Sequence, residues 1–217
     1  MRILAVKLFC PLLLWTIGAA DLAPVTGTNT VRKLDGNSLA IGNVRLEAKE
    51  RRIVLPAQVN MTEGPIEYVL VSALGKLHES LFKTEAEPIQ IQTAVLLLLK
   101  DPISSNSTPK LRISVALPGG KIIPADSLID DVARNKSMPE GLWNYRGSRL
   151  MDGTFIAQRD GSIISIIADP EALIESGRVA AENDENWRPR KAGLPAVGTP
   201  VKIILSFTAL EKAGTPN

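Results

Sequence analysis

Cysteine and histidine are nearly absent from this chain: each occurs once, as Cys10 and His78. Cys10 lies inside the apolar run 8–17, which follows Arg2 and Lys7 and precedes Gly18-Ala19-Ala20-Asp21. A basic start, a short apolar stretch and small residues before an acidic one make a secretory signal pattern, with cleavage expected after Ala20. The run is shorter than the about 20 apolar residues that cross a bilayer, so no membrane span is expected after cleavage. Phe9 stands where lipoprotein processing requires a small residue, which argues against an anchor at Cys10. Loss of residues 1–20 removes the thiol. Disulfides, cysteine–zinc sites, thiolate-bound iron–sulfur clusters and cysteine nucleophiles are then excluded.

Charge of one sign is lacking too. Lys and Arg total 25 against 23 Asp and Glu, and removal of Arg2 and Lys7 makes the two sets equal. A formally neutral mature chain makes no case for nucleic acid. No glycine loop that could cradle phosphate stands at a strand-to-helix junction, and no short-period repeat occurs.

What is present is alternation. Residues 21–39 are polar and read as a flexible N-terminal segment, and order is expected from Ala40. Val44, Leu46 and Ala48 alternate with Arg45 and Glu47, and Ile53–Leu55 follow a charged turn, so a hairpin with one wet face is expected. Pro56 suits an edge strand or a bulge. Residues 66–73 are apolar on both parities, as in a strand covered on both faces. Gly75-Lys76 turns the chain back, and 77–84 returns as a second strand. Pro88 suits a first helical position, and Glu85 and Glu87 place negative charge at the positive end of the dipole. The unbroken apolar stretch 94–99 predicts a helix covered nearly all round.

Further along, strands are expected over 111–117, 154–158, 162–168 and 201–207, with Asp160-Gly161 as a hairpin turn. Short helices are expected over 126–133 and from Asp169-Pro170-Glu171 to Ile174. Strand pairs thus precede single helices. The prediction is an α+β fold: one strand-rich, largely antiparallel domain over 40–210, with two or three short helices packed on the sheet and 176–199 as a long loop.

His78-Glu79-Ser80 invites a hydrolase reading. On a strand, however, Glu79 would face away from His78, and Ser80 would lie about 6.5 Å along. Ser72 on the neighbouring strand is a conceivable but unmarked nucleophile. The other readings are a metal ligand beside carboxylates and a histidine held by hydrogen bonds for structure or ligand contact. Trp143 and Trp187 permit a carbohydrate or hydrophobic-ligand site; equally, they could anchor long loops to the sheet. Asn60-Met-Thr, Asn106-Ser-Thr and Asn135-Lys-Ser match the glycosylation acceptor pattern.

Residues 64–99, with GKLHES ahead of the apolar helix, resemble the YdjY-like domain family of exported bacterial proteins. The pattern continues in LWNYRGSRL (142–150), FIAQRDGSIISIIADPEALIE (155–175), ENWRP (186–190) and LPAVGTPVKIIL (194–205). The resemblance implies an exported domain without an established activity. Some relatives are associated with iron–sulfur domains, and a chain without a mature cysteine could join such chemistry only through a partner.

The expected function is a non-enzymatic, periplasmic or extracellular module that binds a small ligand or an envelope protein. Its candidate surface is Lys76, His78, Glu79 and Ser80, with Asn144, Tyr145, Arg146 and Ser148. The alternatives are a hydrolase or metal-dependent enzyme using His78, and a structural or assembly component of the envelope. No catalytic residue, metal ligand or cofactor is assigned. Intact-mass analysis of the exported protein is expected to give a chain beginning at Asp21; a mass that retains residues 1–20 would overturn the signal assignment.

Overall fold

The computed structural model describes residues 30–99, 108–178 and 183–208. The expected signal peptide with Cys10, residues 21–29 and the Asn106 acceptor site lie outside these ranges. Order begins earlier than Ala40. Strand β1 (Val31–Lys33) pairs with β2 (Ser38–Ile41), which continues into β3 (Val44–Glu47) and the long β4 (Arg52–Val59).

β5 (Tyr68–Ser72) and β6 (Ser80–Thr84) come next, then helix α1 (Pro88–Leu99) and β7 (Lys110–Ala116). Four short strands follow: β8 (Ile122–Pro124), β9 (Ile129–Asp131), β10 (Lys136–Ser137) and β11 (Trp143–Tyr145). A small hairpin, β12 (Leu150–Met151) with β13 (Thr154–Phe155), leads into helix α2 (Ile156–Asp160) and β14 (Ser162–Ser165). The chain ends with β15 (Ile174–Ser176), β16 (Trp187–Pro189) and β17 (Pro200–Phe207).

The expected α+β packed sheet is not what forms. Eight strands close into a barrel in the order β4-β17-β7-β11-β15-β14-β5-β6, and β6 returns to β4. Closure leaves no edge in the ring, and it occurs because β4 serves two neighbours along one side. Its first residues pair with β3, through Arg52–Val54, and its last two with β6, through Gln58↔Lys83 and Val59↔Phe82. Pro56 lies between, where one neighbour has left and the next has not arrived. The Pro56 carbonyl accepts from Thr84 Oγ1 at 2.6 Å. Because N and C=O of a strand residue point to the same side, the missing N–H also faces this gap. Pro56 is therefore neither on an edge strand nor at a bulge, but at a fork.

Alternation decides which side chains fill the barrel. Ile203 lies opposite Leu55 on one side and Val115 on the other, and Leu205 lies between Ile53 and Ile113. Phe207, Leu111 and Trp143 form the next row. All nine are at least 95 % buried, so the interior is packed with side chains, as expected for a barrel of this strand number. β5 is buried along its whole length, in agreement with its apolar residues on both parities.

Helix α1 begins where Pro88 predicts, and Gln90 Oε1 accepts from the Glu87 N–H at 3.2 Å as in a capping box. It packs against β2, β3, β4 and α2, and Gln92 accepts a hydrogen bond from the Tyr145 hydroxyl on β11. Its covering is one-sided: Leu96 and Leu97 are exposed.

Several local expectations are corrected. β5 and β6 are parallel, joined by only the seven residues 73–79, and so do not form a hairpin. Residues 156–160 are helix α2, which ends at Gly161 in the left-handed region (φ 71°). The 126–133 stretch is a 3-10 turn followed by β9. Asp169–Leu173 is a turn before β15, with Asp169 Oδ1 accepting from Glu171 N at 2.9 Å. The 176–199 stretch carries β16, which with β9 and β10 makes a separate three-stranded sheet.

The turn after β5 crosses the end of α2 at Gly75 and Gly161. The Ser72 N–H donates to Gly161 O at 2.9 Å, and a Cβ on Gly161 would stand 2.3 Å from Gly75 N. Gly161→Ala is expected to lower stability by about 3 kcal/mol, combining left-handed strain with a backbone clash. Chemical denaturation of the two proteins measures this, and equal midpoints would show that the crossing tolerates a side chain.

Candidate functional site

The 73–79 turn is short for a parallel connection, which ordinarily takes a dozen or more residues, so its backbone is held tightly. Gly75 N donates to Ser72 O, Glu79 N to Lys76 O, and Ser80 Oγ to Lys76 O. From the side, Asn60 Nδ2 donates to both Leu77 O at 2.6 Å and Ser80 O at 2.8 Å. Asn60 is thus a clamp with its amide engaged rather than an open glycosylation acceptor. Ser80 is buried and serves the turn. Residues 77–79 form a 3-10 turn, not strand, so β6 starts only at Ser80.

That turn brings Lys76 back over the start of β5. Its Nζ lies 3.0 Å from Glu67 Oε2 and 3.6 Å from Glu79 Oε2, and 5.5 Å from the Tyr68 ring centre. Burial raises the Glu67 carboxyl above its ordinary range against the pull of Lys76, while the hydrogen bond to Glu67 raises the Lys76 ammonium. Tyr68 OH donates to Asp169 Oδ2 at 3.0 Å, and burial, with Asp169 next, pushes the phenol up to about 12. Tyr68, Lys76, Arg159, Asp160, Asp169 and Glu171 line an open cleft of about 510 Å³.

Of the residues singled out in the sequence, Lys76 and Glu79 come together, joined by Glu67. His78 sits at the rim, 76 % exposed, with Nε2 3.5 Å from Glu79 Oε1. Strand geometry predicts the two facing apart; the 3-10 turn puts them on one side.

Asn144 and Tyr145 lie on β11, four places from β6 in the ring of eight and so on the opposite wall. Tyr145 is buried, and burial raises its phenol. Arg146 pairs with Glu175 at 3.0 Å, and Ser148 Oγ accepts from Ala157 N at 3.1 Å. Asn144, Tyr145 and Arg146 brace the wall, whereas Ser148 holds the start of α2, the helix that carries Arg159 to the cleft. Nothing local in the sequence marks Glu67, Tyr68, Arg159 and Asp169 as one site, because only the tertiary fold brings β5, α2 and the 169 turn to one place.

Trp143 and Trp187 are fully buried, which removes them from any exposed carbohydrate platform. Trp143 Nε1 donates to Asp126 Oδ1 at 3.1 Å, and Arg178 stacks on the Trp143 ring at 4.6 Å while donating to the same carboxylate at 2.8 Å. Burial raises the Asp126 carboxyl and lowers the Arg178 guanidinium, so desolvation outweighs their attraction for both partners. The cluster ties the 125–141 and 176–178 segments to the barrel.

Comparison of the chain with protein-family models, curated proteins and solved structures returns no match. Among the described residues, no helix is long and apolar enough to cross a membrane.

Arg178→Met is expected to cost about 3–5 kcal/mol by leaving the Asp126 carboxylate buried without its cation. In an Asp126→Asn background the same change should cost much less, because the amide still accepts from Trp143. Equilibrium denaturation across the double-mutant cycle measures the difference, and additive costs would refute the coupling.

Proposed function

We propose that this chain is an exported, non-enzymatic barrel of the YdjY-like kind that binds a ligand or partner protein in the bacterial envelope. The observation that carries the proposal is the held triad of Lys76, Tyr68 and Asp169 beside a barrel whose interior is already filled. With no room inside, recognition falls to the outer surface, and an open cleft with oriented polar groups is where a ligand gains most. The side chains that form it are braced before any ligand arrives, Lys76 by Glu67 and Tyr68 by Asp169. That preorganisation lowers the ordering cost of binding.

The cleft carries both signs of charge. Lys76 and Arg159 face a region that also holds Asp160, Asp169 and Glu171. Such a lining suits a ligand with both an acidic and a basic group, such as a short peptide or the end of a partner chain. His78 lies at the rim in this scheme, outside the lining, and takes no part in chemistry.

A thermal-shift screen of the exported protein against amino acids and short peptides tests the proposal. A ligand near 100 times its Kd is expected to raise Tm by roughly 5–10 °C. Lys76→Ala and Asp169→Asn should abolish the shift, and His78→Ala should keep it. A shift lost in His78→Ala but kept in the other two variants would move the site away from this cleft.

A further inference from the structure

The fork at Pro56 leaves a notch of about 260 Å³ in the outer face of the barrel, bounded by β4 and its neighbours β6 and β17. Strand register puts its lining side chains on one face. Gln58 lies opposite Pro200 on one side and Lys83 on the other, and Pro56 lies opposite Lys202. Pro56 and Gln58 are two residues apart on β4, as Pro200 and Lys202 are on β17, so all five point outward together. The alternate residues Ala57, Val59, Val201 and Ile203 are buried in the core. Thr84 fixes the width of the notch. Its Oγ1 donates to Pro56 O at 2.6 Å and accepts from Ala86 N at 3.0 Å, which holds the end of β6 against β4.

Pro56 and Pro200 are both exposed, and they stand on one diagonal of the square completed by Gln58 and Lys202. Diagonal neighbours on a sheet face are about 7–8 Å apart, within reach of a single ring system. Pro56 has no N–H to offer a further strand, so the notch is closed to strand addition. A flat ring suits it better. Proline rings pack against aromatic faces where proline-rich segments dock in aromatic-lined grooves, and here the proline side of that pairing belongs to the protein. The volume lies below the about 300–1,000 Å³ of drug-sized sites, which limits the occupant to one or two rings. Charge is distributed unevenly across the notch. Lys202, at the β17 side, is exposed and, among the described residues, pairs with no carboxylate. At the β6 side, Lys83 shares the lining with Glu85.

We infer that this notch binds a small aromatic carboxylic acid, with its ring over Pro56 and Pro200 and its carboxylate on Lys202. An ion pair with one exposed lysine is weak in water, and so is the contact of an uncharged ring with a shallow floor. On one rigid ligand the ring holds the acid beside Lys202, so the second contact forms at high effective concentration. Gln58, at the remaining corner of the square, has an amide N–H to donate to a carboxylate oxygen. Glu85 repels an acid from the β6 side and so sets the direction in which the ligand lies. The lining residues sit on or directly beside strands of the closed ring, so the site is built before any ligand arrives.

Amide chemical shifts followed by NMR during titration with naphthoate, its uncharged counterpart naphthylmethanol, and acetate test the assignment. Naphthoate is expected to move the Ala57, Gln58, Glu85, Val201 and Lys202 amides saturably, and more weakly as salt is raised. Naphthylmethanol and acetate, each lacking one half of the recognition, are expected to give no saturable shift there. Lys202→Glu should weaken naphthoate binding roughly tenfold or more, and Glu85→Gln should strengthen it about twofold. Both side chains are exposed, so Tm should stay unchanged in the two variants. Lys76→Ala should bind as the parent does, which separates this site from the first cleft. Absence of saturable shifts with naphthoate, equal binding of naphthylmethanol, or parental affinity in folded Lys202→Glu would overturn the inference. Shifts that centre on Tyr68 and Lys76 and vanish in Lys76→Ala would also overturn it, in favour of the first cleft.

Discussion

Two residue pairs close the barrel, Gln58 with Lys83 and Val59 with Phe82. They can form only because β3 leaves β4 after Val54 and frees that side of the strand for β6. Pro56 marks the point of exchange. In the middle of a continuous sheet its missing N–H would break a ladder, but here it faces the fork, and Thr84 satisfies its carbonyl. Since β6 is also the parallel partner of β5, this closure dictates where the 73–79 turn must run. The position of Lys76 follows from it.

The turn and the cleft are one construction. Seven residues must carry the chain from the end of β5 back to the start of β6, and they do so by crossing α2 at a point where neither Gly75 nor Gly161 has room for a Cβ. Asn60, just past the closing pairs, holds two carbonyls of the same turn. Strand closure, the glycine crossing and the asparagine clamp together leave Lys76 little choice but to lie over Tyr68 and between Glu67 and Glu79. The proposed recognition role thus draws on contacts that also maintain the barrel.

Buried polar clusters do here what disulfides do in many exported domains, fastening long excursions to a core. Asp126, Arg178 and Trp143 fasten one, and Asp131 with Asn186 fastens the other. Buried ion pairs of this type contribute little net stability because desolvation opposes their attraction. Their value lies in register: an excursion that slips by one residue leaves a charge or amide unpaired.

Local pattern by itself determined much of this protein. The strands 44–47, 52–59, 68–72, 110–116 and 200–207, the inward residues of each, the start of helix α1 at Pro88 and the burial of β5 on both faces can all be read from alternation and turn chemistry. Alternation states which face a side chain takes, but not which strand lies beside it, and pairing is where tertiary structure decided. Parallel against antiparallel for β5–β6, a closed ring in place of an open packed sheet, and helix in place of strand at Ile156–Asp160 all depend on partners distant in the chain. The same holds for the sites. GKLHES marks a turn in the sequence, yet it is the ring order that places Asn144 and Tyr145 on the far wall and brings Glu67 and Tyr68 to Lys76. Such convergence comes from long-range strand pairing, which a period of two residues cannot encode.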